Sequence, residues 1–456
     1  MIPLTLAETA RAAGGRIISG DGAFVVKGLS TDTRNIAPGD LFIALKGERF
    51  DGHDFLPGLA DRKPGALMVS SDFTCGFAPV IRVADTLQAL GALAGYVRNK
   101  TGPWVFCVTG SNGKTTTKEM LNSILSATGK KTLKAEGNFN NLVGLPLTIF
   151  RLDGTEDYLV LELGMSAPGE IFRLAEIASP DYGAITNVGP SHLEHFSSVE
   201  DIGKAKKELA RQMRENTYLA VNADSEYLSD AAEHTKASVF TFGIENKSDF
   251  KMDDIVRSST GYGFSVNGIK GFGIETIAYH NLYNALAATA LARCAGISWE
   301  IIKEGLAGFS PHSMRMQEYS FGGIRVINDC YNSNPLSLEA ALKTMGSIKG
   351  GRRVAVLGDM LELGAASGEY HKKAGKSASE NCDALFTYGP MARFIVEGFT
   401  GPGREAWHFD NKAALLEKLS SYLKTGDSVL VKGSRGMKME DVFGGLRDKF
   451  GKKAGT

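Results

Sequence analysis

Residues 104–115, WVFCVTGSNGKT, constrain the fold more than any other stretch of this chain. The apolar run from Trp104 to Val108 reads as a buried strand. It runs into Thr109-Gly110-Ser111-Asn112-Gly113-Lys114-Thr115. A helical pattern follows, with Met120, Leu121, Ile124 and Leu125 on one face and Gly129 as its stop. Strand, glycine-rich turn, Lys-Thr and helix are the setting that a phosphate-binding loop requires. Backbone N–H groups and the helix N-terminus attract phosphate oxygens. Lys114 would bring positive charge to the β- and γ-phosphates, and Thr115 a hydroxyl to Mg2+. The longer form of this loop has a glycine where Val108 stands, so the pattern is a shortened G-x-x-G-K-T. The competing reading is an ordinary strand-to-helix turn with a surface lysine. The agreement of strand, turn and helix favours the phosphate loop.

A chain of 456 residues has room for about three domains. Hydrophobic content of 43% and charged content of 22% are those of a soluble globular protein. With 51 basic and 51 acidic residues the net charge is zero, which argues against a general nucleic-acid or membrane-surface role. The five cysteines are scattered without C-x-x-C spacing, so neither a disulfide framework nor a zinc site is suggested. The N-terminus lacks the basic and apolar segments of a signal peptide, and no apolar run approaches membrane-spanning length. The expected location is the cytoplasm.

Three α/β regions follow from the pattern. Residues 1–100 carry strand-like runs in 28–45 and 66–69 and a helical stretch from Thr86 to Val97, closed by Lys100-Thr101-Gly102-Pro103. Residues 101–311 hold the phosphate loop and the strands Tyr158 to Leu163 and Tyr182 to Val188, alternating with helices as in a mostly parallel sheet. Within them Val239 to Ile277 has no helical period and reads as a small antiparallel insert, and Asn281 to Ala295 reads as an Ala-rich helix. Residues 312–456 read as a Rossmann-like α/β domain, with strands Arg353 to Leu357, Ala384 to Tyr388 and Ser428 to Val431. The last residues, KKAGT, read as a frayed terminus.

Several residues outside the loop carry chemistry. Glu162 ends the apolar run Leu159-Val160-Leu161, where a carboxylate is costly unless it pairs or binds a cation. Beside a phosphate loop, a magnesium ligand is one reading and an edge-strand glutamate facing water is the other. His192 follows the next strand and is a candidate for a second metal site, against a loop histidine bonded to backbone. The run Lys204-Ala205-Lys206-Lys207-Glu208 reads on composition alone as a solvated helix face. The stretch Gly137 to Pro146, rich in Asn and Gly, reads equally as a phosphate-orienting segment and as a bland turn. Asn281 reads as an N-cap or as a nucleobase contact.

Taken together and in order, TGSNGKTT, GNFNNLVGLP, LELGMSAPGE, TNVGPSHLEHF, AKKE, HNLYNA, NDCYNSNP and LVKGSR resemble the signatures of the Mur ligase family. These are ATP-dependent amide ligases of the bacterial cell-wall precursor. The segment STDTRNIAPGDLFIALKG, followed by DGHDF, and the later YNSNP and GDMLELG are similar to those of the members that add D-alanyl-D-alanine. The resemblance implies ATP, two Mg2+ ions, a UDP-N-acetylmuramoyl-tripeptide substrate and D-alanyl-D-alanine as its partner in ligation. It assigns Gly110, Ser111, Asn112, Gly113, Lys114, Thr115, Thr116, Asn141, His280, Asn281, Asn284, Arg315 and Asp329 to ATP. It assigns Ser30, Thr33, Arg34 and Gly47 to the uridine diphosphate end, and Asn332, Asn334, Glu362, Ser434 and Arg435 to the dipeptide side. Thr115 and Glu162 would hold the first Mg2+, and His192 with a carbamylated Lys206 the second. Lys114, Glu162, His192 and Lys206 are the expected catalytic set, in a monomer. Another amide ligase of the superfamily, such as a folylpolyglutamate synthase, would lack the segment at 28–54. A guanine-specific N-K-x-D loop, the mark of a GTP-switched binding protein, is absent.

Overall fold

The computed structural model describes residues 1–47, 49–311 and 313–451, so Glu48, His312 and the terminal KKAGT lie outside the described residues. Among the described residues three larger sheets follow one another along the chain. The first has five strands, in the order Arg16–Ser19, Val80–Arg82, Ala66–Val69, Asp40–Ile43, Gly28–Ser30. Its last four strands run parallel, so Ser30 and Ile43 leave the sheet at the same edge.

The second sheet has nine strands and carries the phosphate loop. Strand Trp104–Thr109 lies between Tyr158–Glu162 and Tyr182–Ile185, all parallel, with Glu162 opposite Val108 and Ile185 opposite Thr109. This register brings the loop, the Glu162 carboxylate and residues 186–195 out at one edge. The strand buries both faces, as parallel strands do. Val105 and Cys107 pack into one core with Leu90, Leu93 and Val97 of helix Thr86–Thr101. Phe106 and Val108 pack into another with Leu121 and Ile124 of helix Lys114–Ala127 and with the Ala-rich helix Asn281–Cys294. Helix Thr86–Thr101 thus joins the first sheet to the second, and Gly102 stops it in the left-handed region at φ 69°.

Two sequence expectations change here. The segment read as an antiparallel insert is continuous with the sheet. Its first strand, Ser238–Gly243, pairs in parallel with Tyr218–Asn222, and only Phe250–Arg257, Tyr262–Val266 and Ile269–Ile274 form antiparallel pairs. The expected strand Tyr182 to Val188 ends at Ile185, because the backbone of 186–189 turns to bond the phosphate loop.

The third sheet has six strands, in the order Gln317–Phe321, Ile324–Asp329, Ser428–Lys432, Arg353–Gly358, Ala384–Tyr388, Glu405–Phe409. All pairs but the first are parallel, as a Rossmann-like sheet requires. No helix among the described residues is long and apolar enough to cross a membrane.

Candidate active site

Two glycines shape the phosphate loop. Gly110 has φ 150°, and a Cβ there would stand 1.9 Å from Thr186 Oγ1. Gly113 has φ 84°, and a Cβ there would stand 2.1 Å from Asn284 Oδ1. Both positions therefore exclude a side chain by conformation and by space. The loop is sewn to the neighbouring strand end. Ser111 N donates to Asn187 O at 2.9 Å, Asn112 N to Asn187 Oδ1 at 2.9 Å, and Thr186 Oγ1 to Asn112 O at 2.6 Å. Helix Lys114–Ala127 begins without a side-chain cap, so its first N–H groups remain for an anion.

Lys114 Nζ donates to Gly110 O at 2.7 Å. Burial lowers its pKa to about 8; Arg315 adds to the shift and Glu162 opposes it. Glu162 is 2% exposed and lies on a central strand, so the edge-strand reading fails. Its Oε2 accepts from Thr115 Oγ1 at 3.1 Å, and its Oε1 pairs with the buried Lys118 Nζ at 3.1 Å. Arg315 reaches across from the start of the third region. Its Nη2 donates to Thr115 Oγ1 at 2.9 Å, and its guanidinium lies 4.0 Å from the centre of the Tyr331 ring.

Asn281 is not the N-cap of its helix: His280 holds that position, without a side-chain bond. Asn281 Nδ2 instead donates to Thr276 Oγ1 at 2.8 Å, and Asn284 Nδ2 donates to Asn281 Oδ1 at 2.9 Å. His280 Nδ1 is buried and unpartnered, and burial lowers the ring's pKa to about 4. Asp329 pairs with Lys432 at 2.5 Å and accepts from Met316 N at 3.2 Å. In the Asn-rich stretch, Asn141 Oδ1 caps its own turn, accepting from Val143 N and Gly144 N at 3.1 and 2.8 Å. The turn reading and the site reading meet there, because Asn141 also lines the cavity described next.

A cavity of about 770 Å3 gathers these groups. Its wall includes Ser111, Asn112, Gly113, Lys114, Thr115, Thr116, Asn141, Glu162, His192, His280, Asn281, Asn284, Arg315, Asp329, Asn332 and Asn334. Gly110 is off the wall and meets it through its carbonyl, which accepts from Lys114 Nζ. Beyond the wall, Ser434 Oγ donates to Ser333 O at 2.8 Å and Arg435 N donates to Asn332 Oδ1 at 3.3 Å. Glu362 pairs with His192 Nδ1 at 2.5 Å, so a residue expected to hold metal and one expected on the dipeptide side are partners.

The expected uridine diphosphate residues stand apart from this cavity. Ser30 Oγ donates to Asp32 O at 2.9 Å, and Arg34 pairs with Asp32 at 2.7 Å with its side chain 84% exposed. Thr33 is half-buried and Gly47 exposed, on loops that leave adjacent parallel strands.

The charge run 204–208 is the clearest correction. Lys204 is exposed, but Lys206, Lys207 and Glu208 are buried. Glu208 caps helix Glu170–Ala178, accepting from Gly169 N and Phe172 N at 2.8 and 3.0 Å, and Lys207 pairs with Asp230 at 2.5 Å. Lys206 is 2% exposed and has no hydrogen bond or ion pair among the described residues. Burial, with Lys114 nearby, holds its amine well below the usual lysine range.

The chain matches the Mur ligase middle domain over residues 108–292, the Mur ligase glutamate ligase domain over 314–435 and the Mur ligase catalytic domain over 25–98. It belongs to the Mur ligase family. A UDP-N-acetylmuramoyl-tripeptide–D-alanyl-D-alanine ligase of Bacillus subtilis is 39% identical over 429 residues, covering 92% of each chain. The crystal structure of MurF from Acinetobacter baumannii superposes with a TM-score of 0.91 at 31% identity, covering 98% of this chain and 99% of that one. MurF from Thermotoga maritima in complex with ADP gives 0.86 at 28% identity, covering 94% and 99%.

Some residues on the wall of this Mur ligase were not anticipated. Tyr331 and Lys432 lie inside the YNSNP and LVKGSR motifs, beside the polar residues to which the resemblance assigns roles. Asn222 ends strand Tyr218–Asn222, and Asp224 and Tyr227 follow it; the strand's carboxyl end shares the edge of the phosphate loop. That placement was the available signal.

Proposed function

We propose that this chain is the ATP-dependent ligase that joins D-alanyl-D-alanine to UDP-N-acetylmuramoyl-tripeptide through an acyl phosphate. The observation that carries the reading is the likeness, over nearly the whole chain, to relatives named for that reaction. The ADP complex of the Thermotoga relative supports ATP as the nucleotide. The proposed division of labour follows the three sheets. Residues 1–100 hold the nucleotide-sugar peptide, 101–311 hold ATP, and 312–456 hold the dipeptide and cover the nucleotide. The enzyme acts as a monomer in the cytoplasm.

The residues present suit magnesium. Among the described residues no three His, Cys, Asp or Glu side chains gather into a ready cage. Mg2+ does not need one, since it takes one or two carboxylates and completes its shell with phosphates and water. The Thr115 hydroxyl and the Glu162 carboxylate, neighbours on the cavity wall, supply that partial set. Lys206 suits carbamylation, because a buried, unpartnered amine of lowered pKa is the form that adds CO2. Carbamylated Lys206 and His192 would hold the second ion. Bound Mg2+ supplies charge neutralisation between the two anionic reactants.

In the first step a carboxylate oxygen of the tripeptide attacks the γ-phosphorus. The bond to the β-bridging oxygen breaks, and ADP leaves. Lys114 and Arg315 screen the negative charges that must meet, and the helix N–H groups hold the phosphate oxygens. Asn281, Asn284, His280 and Asp329 hold the nucleotide. In the second step the dipeptide amine attacks the acyl carbon, and inorganic phosphate leaves as the amide forms. Asn332, Asn334, Glu362, Ser434 and Arg435 line the amine's side.

The test is phosphate release from ATP. It should require the UDP-sugar tripeptide and D-alanyl-D-alanine together. Release with a folate and glutamate would favour the folylpolyglutamate reading, and nucleotide binding without ligation would favour a switch protein.

A further inference from the structure

Lys118 lies one turn beyond Lys114 on helix Lys114–Ala127, in a run of Thr, Lys and Glu that reads as a polar surface. Its side chain is 1% exposed. Three oxygens surround its Nζ: Ala135 O at 2.7 Å, Glu119 Oε1 at 3.1 Å and Glu162 Oε1 at 3.1 Å. Lys134 holds the other oxygen of Glu119. A fully buried ammonium loses several kcal/mol of hydration, and a buried ion pair is often no more stable than apolar side chains of the same volume. Stability alone is therefore a weak reason for this lysine.

Its position offers another. Glu162 and Thr115 line the cavity, and Lys118 does not. The ammonium meets Glu162 through Oε1, while Oε2 takes the Thr115 hydroxyl. The same Nζ holds Ala135 O, two residues before Gly137 opens the Asn-rich loop that carries Asn141. We propose that Lys118 is a positioning residue for the reaction. Its ammonium fixes the Glu162 carboxylate from behind, so that the carboxylate and Thr115 meet the nucleotide's divalent cation in one geometry. It also sets the start of the loop that carries Asn141. The proposal rests on Glu162 being a metal ligand. Outer partners of metal ligands are worth about 10- to 100-fold in metal affinity.

The test is calorimetric binding of ADP to the full chain, with and without MnCl2. Lys118→Met should weaken the binding gained from Mn2+ by about 10- to 100-fold and leave metal-free ADP binding within about twofold. In a Glu162→Gln background the same change should have no further effect on the Mn2+ gain. Lys118→Met strands two carboxylates, so the double variant Lys118→Met/Glu119→Gln serves if the single one does not melt cooperatively. Tighter Mn2+-dependent binding would overturn the proposal, making Lys118 a charge that repels the ion. An unchanged Mn2+ gain would also overturn it, as would loss of folding in both variants, which makes the lysine purely structural. If Glu162→Gln itself leaves the Mn2+ gain intact, the metal-ligand reading of Glu162 falls first and takes this proposal with it.

Discussion

Asn112 in the phosphate loop and Asn334 in the third region exchange side-chain amide bonds, Asn112 Nδ2 to Asn334 Oδ1 at 3.2 Å and Asn334 Nδ2 to Asn112 Oδ1 at 2.9 Å. The two residues are 222 positions apart. With Arg315–Thr115 and Glu362–His192 they make three polar contacts between residues 101–311 and 312–451, each through a residue expected at the site. Ligand contacts and interdomain contacts therefore share their side chains.

This sharing predicts that the arrangement is poised. Asn334 also caps helix Pro335–Gly346 by accepting from Ser337 N. Asn334→Ser keeps a capping hydroxyl and removes both amide bonds, a loss of about 1–3 kcal/mol for the contact between the two regions. Solution scattering should show a larger radius of gyration for this variant than for the unaltered chain. Adding an ATP analogue and the UDP-sugar tripeptide should bring the two radii together. Equal radii without ligand would mean that the remaining contacts, Arg257 to Ser347 O and Glu194 N to Glu362 O among them, hold the regions closed on their own.

Lys114 carries the second prediction. It is the cation within the phosphate loop, and Arg315, the next guanidinium, comes from a different region. Lys114→Ala should lower turnover by at least about 10²- to 10³-fold with little change in melting temperature. A variant that keeps a tenth of the activity would remove the phosphate-loop assignment.

Local geometry is legible in the sequence, and long-range burial is not. Gly110, Gly113 and Lys114 declare themselves within one strand–turn–helix unit, because the loop's geometry is set by φ and by close backbone approach. Glu162 was readable because a carboxylate in an apolar run has few inexpensive explanations. Lys206 misleads when composition is read without the family resemblance. A charge run signals solvent unless something elsewhere covers it, and the cover here is helix Glu170–Ala178, which lies well before the run in sequence. Strand Ser238–Gly243 departs from expectation for a related reason: composition does not tell which neighbour, parallel or antiparallel, a strand such as SVFTFG will meet. The pairing of Asn112 with Asn334 has no sequence signal at all.

His280 predicts a pH dependence. Burial holds its pKa at about 4 against an ordinary value of 6.5, so the folded chain binds this proton less readily than the unfolded one. Between those values the unfolded state carries more protons, and stability rises with pH. The contribution is complete above pH 6.5 and is lost as pH falls through about 4. Its size is on the order of 3 kcal/mol as an upper bound. Denaturant melts at pH 7 and pH 4.5 should show that His280→Asn loses less stability on acidification than the unaltered chain. Parallel losses would place the acid sensitivity in other groups, such as His371, whose pKa burial also lowers.

Lys206 gives the final prediction. Its amine is buried, unpaired among the described residues and shifted well below the lysine range, so its neutral, nucleophilic form is more accessible than that of an exposed lysine. Addition to CO2 converts it into a carbamate, which can stay buried only if a cation meets it. The modification and the second ion therefore depend on each other. Lys206→Ala should lose about 100-fold or more in phosphate release, on the order expected when a metal-site group is removed. Added acetate or another small carboxylate should restore part of it by occupying the space of the carbamate. The unaltered protein equilibrated with 13C-bicarbonate should show a carbamate resonance that is absent from the variant. Full activity in Lys206→Ala, or no resonance in the unaltered protein with Mg2+ and nucleotide bound, would return Lys206 to a buried lysine with no part in the reaction.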